Sequence, residues 1–153
     1  MDKNLALTDL YKKELLSSIP VVSGMKIDIE KISDREIILK APLDININYE
    51  GTAFGGSINT LCTLASYLLT HHLIKMSEHQ IKSLVIQDSS IKYKSPVKDN
   101  FFAQAVISEA EKERFLSMLK RKKMGRVNLS TTVYTVKDEG LVEYLARFVA
   151  IIY

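Results

Sequence analysis

The chain has one cysteine, three prolines and no tryptophan in 153 residues. A single cysteine excludes an internal disulfide framework, and a lone thiol suits a reducing compartment. The first residues include Asp2 and lead into an amphipathic stretch without a secretory h-region, so a cytoplasmic protein is expected. The net charge of +3 provides only weak general attraction to polyanions, which argues against a nucleic-acid partner. The most informative absence is local: residues 51–74 contain no Asp, Glu, Lys or Arg. A membrane span would need to be more apolar than a stretch with Asn59, His71, His72, three glycines and several Thr and Ser. No membrane contact is expected, and the stretch is read as a helix buried in protein.

What remains has ordinary globular composition, 46% hydrophobic and 25% charged, and fits one domain over residues 1–153. Leu7, Leu10, Tyr11, Leu15 and Ile19 fall near helical spacing, predicting a helix over 5–19 that Pro20 stops. Met25, Ile27 and Ile29 alternate with charged residues as in a half-buried strand, and residues 35–41 return as its hairpin partner. The uncharged helix is placed over 55–75. Four strand-like runs follow at 83–94, 101–110, 126–136 and 142–152, with a basic helical segment at 111–123. No βαβ alternation and no internal repeat appear, so a doubly wound parallel sheet is excluded in favour of an α+β arrangement.

Residues 48–57 read Asn-Tyr-Glu-Gly-Thr-Ala-Phe-Gly-Gly-Ser and run straight into the uncharged helix. Free backbone N–H groups at a helix start, backed by the positive end of its dipole, favour a developing oxyanion. Gly55 and Gly56 let a substrate approach the backbone, and Asn48 offers a neutral side chain to water or an acyl carbonyl. The plainer alternative is a glycine-rich turn with Thr52 or Ser57 as an ordinary helix cap.

The form Asn-x-x-Gly-Thr-x-x-Gly-Gly resembles the signature of the hotdog-fold thioesterase superfamily. Together with residues 88–96 and Lys123-Met-Gly-Arg126, it looks most like the thioesterases of the YiiD C-terminal type. The resemblance implies a hotdog fold, a long central helix wrapped by an antiparallel sheet. It implies that the Gly55 N–H polarises a thioester carbonyl and that Asn48 contacts water or that carbonyl. Gly55 and Gly56 at the helix start are expected to supply the oxyanion site, with Asn48 and Thr63 holding water, and Thr52, Phe54 and Ser57 are expected to contact the substrate. Many similar proteins carry His where this chain has Phe54, and Asp or Glu where it has Thr63. A threonine hydroxyl orients water but is a poor base. Glu50 and Asp88 are the nearest alternative acids, and Asp88 is preferred because Leu84 and Ile86 predict partial burial of its strand.

Other candidates are weighed more briefly. Adjacent histidines on a helix diverge by roughly 100°, so His71, His72 and His79 are not read as a metal site. Cys62, among Leu61, Leu64 and Ala65, is read as a small buried apolar residue rather than a nucleophile. Residues 120–123 and Arg126 form the one basic run, with Lys122 and Arg126 as candidate contacts for coenzyme A phosphates and a solvated helix end as the equal alternative. The expected activity is hydrolysis of acyl-CoA or acyl-carrier-protein thioesters by a homodimer or homotetramer. No cofactor is expected beyond coenzyme A as part of the substrate. The rival is a non-catalytic acyl-thioester binding module. A dehydratase on the same fold would want a His and acid pair around the helix, which is not seen.

Overall fold

The computed structural model describes residues 3–153. Helix α1 (Lys3–Ser18) passes through a 3₁₀ turn (Pro20–Met25) into the hairpin of β1 (Asp28–Ile32) and β2 (Glu36–Ala41). After the loop come α2 (Gly55–Met76), β3 (Ile81–Tyr93), β4 (Phe101–Val106), α3 (Glu109–Lys122), β5 (Met124–Tyr134) and β6 (Val142–Ile152). The strands form one six-stranded sheet in the order β1-β2-β4-β5-β6-β3, and every neighbouring pair is antiparallel. Helix α2 lies across the inner face, and the absence of charge on it now has a cause. Ile58, Leu61, Cys62, Ala65, Leu69 and Leu73 are buried with Ile37, Leu39, Phe101, Val127 and Phe148 from the strands. This is the α+β hotdog arrangement.

Two element boundaries differ from the sequence reading. The first strand begins at Asp28 rather than Met25, because Pro20 opens a helical turn in which Met25 is the last residue. Lys26 then takes a left-handed φ of 55° to redirect the chain. The strand expected over 101–110 stops at Val106, because Ser108 caps α3 by accepting from the Glu111 N–H at 3.2 Å. The spacing Ser108-x-x-Glu111 is a helix-start signal that outweighs the apolar run before it.

Strand β3 lies at one edge of the sheet. Its 13 residues pair with β6 on one side only, and no strand covers the other edge among the described residues. Its last residue, Tyr93, stands at the start of α2.

Candidate active site

The loop before α2 is fastened by two asparagines. Asn46 is buried and donates through Nδ2 to the carbonyls of Met25 (3.0 Å) and Pro42 (2.8 Å). Its own carbonyl accepts the Phe54 N–H at 2.7 Å, while the Ala53 N–H reaches Val97 at 2.8 Å. Asn48 folds its amide back on the loop. Oδ1 accepts the N–H groups of Glu50 (2.9 Å) and Thr52 (3.1 Å), and Nδ2 donates to Thr52 Oγ1 (2.9 Å) and the Ala53 carbonyl (3.4 Å). The turn requires Gly51 at φ +77°. Asn48 therefore shapes the loop, a role the sequence reading did not give it.

The result is an uncapped helix start. Phe54 occupies the cap position in an extended conformation, and no side chain caps α2. Thr52 Oγ1 accepts from Asn48 instead, and Ser57 makes no cap bond, so the ordinary-cap alternative is not what the loop builds. The Ile58 N–H closes the first helical turn onto Phe54 at 3.0 Å. The N–H groups of Gly55, Gly56 and Ser57 have no acceptor among the described residues. Two half-exposed rings flank them. Tyr93 donates its hydroxyl to the Gly55 carbonyl at 2.9 Å, and a Cβ on Gly56 would stand 2.5 Å from the Phe54 ring. Gly56 is the position where only glycine leaves that ring in place.

Thr63 lies two turns further on. Its Oγ1 donates to the Asn59 carbonyl at 2.9 Å and meets the Tyr144 hydroxyl at 2.8 Å. Tyr144 comes from the inward face of β6, is 1% exposed, and burial raises its pKa, so the phenol is protonated at neutral pH. Eight residues of helix separate Gly55 from Thr63, about 12 Å of rise. One chain thus does not bring the two to a single reacting atom.

The acid candidates are placed less favourably. Asp88 pairs in register with Arg147 on the outer face of the sheet, opposite the face that carries Tyr144 and Thr63, and it is exposed. The partial burial expected from Leu84 and Ile86 is absent because β3 is an edge strand and Ile86 is 42% exposed. Glu50 is exposed in the loop. Cys62 is fully buried, and burial pushes its thiol up to about 12, which leaves no thiolate for nucleophilic attack.

The family described as "Putative thioesterase (yiiD_Cterm)" matches residues 8–152. The chain belongs to that family. Among solved structures, a putative thioesterase from Shewanella oneidensis is 25% identical, with a TM-score of 0.85 over 95% of this chain and 98% of that one. A protein of unknown function from Chlorobaculum tepidum is 23% identical, with a TM-score of 0.86 over 95% and 94%. A thioesterase from Haemophilus influenzae, 16% identical, shares the fold at a TM-score of 0.70 over 99% and 92%. No curated protein matches the sequence.

For this family member, Lys122 and Arg126 lie away from the helix start. Tyr93 pairs with Val142 and Val142 with Val133, so Arg126 sits seven residues of β5 away, roughly 23 Å, and Lys122 lies beyond it. Its cations are exposed and make no ion pair among the described residues. Sequence reasoning missed Tyr144 and Tyr93 as site residues. The alternation of Val142, Tyr144, Ala146 and Phe148 marks an inward face, but its meeting with Thr63 spans 81 residues.

Proposed function

We propose that this protein hydrolyses acyl thioesters of coenzyme A or acyl carrier protein, as a homodimer or homotetramer in which one copy's helix start faces another copy's Thr63. The observation that carries this reading is the uncapped start of α2, with three free N–H groups in a row. They suit the oxygen of a thioester carbonyl, which gains charge as water adds to its carbon. The new C–O bond forms, the C–S bond breaks, and the thiolate leaves to take a proton. Thr63 holds the water by accepting a hydrogen bond from it. The 12 Å between Gly55 and Thr63 is the reason for a second copy. Exposed Ile45, Ile47, Tyr49 and Phe54 around the loop, with Val85 and Ile86 on the free edge of β3, supply an apolar surface for it. Lys122 and Arg126, exposed near the start of β5, are the candidate contacts for the phosphates of coenzyme A.

The test is thiol release across a series of acyl-CoA and acyl-carrier substrates, with light scattering on the same samples. An active monomer of 17.3 kDa would overturn the shared site. The second reading, a binding module without turnover, is favoured by one observation: Thr63 points its proton at Asn59, and no carboxylate stands beside it among the described residues. Measurable binding with zero release selects it.

A further inference from the structure

Tyr93 joins the edge strand of the sheet to the start of α2. It is the last residue of β3 and pairs in register with Val142. The two N–H groups that follow it, of Lys94 and Ser95, both donate to the Leu141 carbonyl, at 2.9 and 3.1 Å. The backbone that carries the tyrosine is thus tied to the sheet. Its side chain crosses to α2, where the hydroxyl donates to the Gly55 carbonyl at 2.9 Å. The ring lies along the same glycine, since a Cβ on Gly55 would stand 3.5 Å from it. Tyr93 is 51% exposed, so water is available to its hydroxyl and burial does not dictate the bond.

What the bond fixes follows from the peptide unit. The Gly55 carbonyl and the Gly56 N–H belong to one planar trans group and point in opposite directions, so holding the oxygen aims the hydrogen. The preceding unit is held by the helix itself: the Phe54 carbonyl accepts the Ile58 N–H at 3.0 Å, which aims the Gly55 N–H. Two glycines at an uncapped helix start have more backbone freedom than any other pair. Donors to a developing oxyanion work by being fixed beforehand, so that freedom has to be removed. A hydrogen bond to the carbonyl oxygen also draws electron density from the amide nitrogen, which makes its N–H the stronger donor.

We infer that Tyr93 is a positioning residue: its hydroxyl aims and strengthens the Gly56 N–H, making it a second donor, beside the Gly55 N–H, to the thioester carbonyl oxygen. The inference rests on the thioester reading of the helix start and adds the strand end that keeps that start in shape. Tyr93 acts through the peptide and not on the substrate.

Tyr93→Phe keeps the ring against Gly55 and removes only the hydroxyl. It should lower kcat about tenfold, with KM little changed and the melting temperature close to wild type. Two unreactive analogues of octanoyl-CoA separate aiming from packing. In one a methylene replaces the sulfur and leaves a ketone; in the other a methylene replaces the carbonyl. By calorimetry the wild type should bind the ketone more tightly. In Tyr93→Phe that advantage should shrink, and the infrared C=O stretch of the bound ketone should move to higher frequency. Affinity for the carbonyl-free analogue should stay as in the wild type. These readouts need no turnover, so they hold for a protein that binds without hydrolysis. A ketone preference that survives Tyr93→Phe with the stretch unmoved, or an equal loss of affinity for both analogues, overturns the role of Tyr93 and leaves the thioester reading standing. Should the wild type show no preference for the ketone, the helix start takes no carbonyl, and the thioester reading falls together with this inference.

Discussion

Tyr144 and Thr63 meet hydroxyl to hydroxyl at 2.8 Å, and a third group fixes the direction of that bond. Thr63 has one proton, which it gives to the Asn59 carbonyl at 2.9 Å. Tyr144 is therefore the donor, and Thr63 keeps a lone pair for one further hydrogen bond. A water bound there donates to Thr63 and keeps its own lone pairs free for attack. Thr63 in this setting would position water and take no proton from it.

The pair should behave as one unit. Thr63→Ala should lower kcat with little change in KM, by about 1–3 kcal/mol in activation free energy. Tyr144→Phe should lower kcat in the same direction, and adding it to Thr63→Ala should cost little more. Steady-state kinetics on the four proteins closes the cycle. Fully additive losses would separate the two residues.

A carboxylate at position 63 would accept a hydrogen bond from Tyr144 and supply a base at this point of the helix. Thr63→Asp should raise turnover above wild type. Asp88→Asn should leave turnover unchanged, because Asp88 lies on the outer face of the sheet beside Arg147. A large loss in Asp88→Asn would return that residue to the site and place it in another copy's reach.

Gly56→Ala should weaken substrate use without unfolding the chain. The new Cβ would stand 2.5 Å from the Phe54 ring, which is 55% exposed and free to swing away. The displaced ring then covers the free N–H groups it now flanks. Gly56→Ala combined with Phe54→Ala should recover much of the loss, as read by kcat/KM, while melting temperatures stay close to wild type.

Acid should loosen the contact between α1 and α2. Burial lowers the pKa of His72, against an opposing effect of Asp34, and lowers that of His71 as well. Below about 6.5 the unfolded imidazoles bind protons that the folded ones do not. The unfolded state then holds more protons, so stability is complete above that value and falls as pH drops towards the lowered folded values. Asp34, Glu36 and Glu111, whose pKa values are held down first by hydrogen bonds from Lys112, Lys31 and Arg114, give way only in the more acidic carboxylate range. Thermal melts should show a distinct histidine step, and His72→Gln should flatten it. A flat profile through that range would contradict the burial of both rings.

The fold was largely legible because its signals are local. An uncharged stretch of helical length, alternating strands and Pro20 each act within a few residues, and they located α2 and four of the strands closely. The site was legible in part. The glycine pair marks the helix start, since the chemistry of free N–H groups needs no distant partner. The loop-closing role of Asn48 was not legible because an amide that closes its own loop and one that faces a substrate look alike in sequence. The burial of Asp88 was misjudged for another reason: burial of a strand depends on whether it lies at a sheet edge, which pairing decides and composition does not. Tyr144 was invisible as a site residue, because only the sheet order brings it to Thr63.

The free edge of β3 has a consequence for the amount of protein present. Thirteen residues of backbone are held from one side, and a partner laid along the other side would bind the folded chain alone. With such a partner, mass action would couple folding to abundance: each dilution would withdraw stabilisation, and the melting temperature would climb with concentration. A scarce chain would be short-lived as well as inactive, so expression level would set both persistence and output.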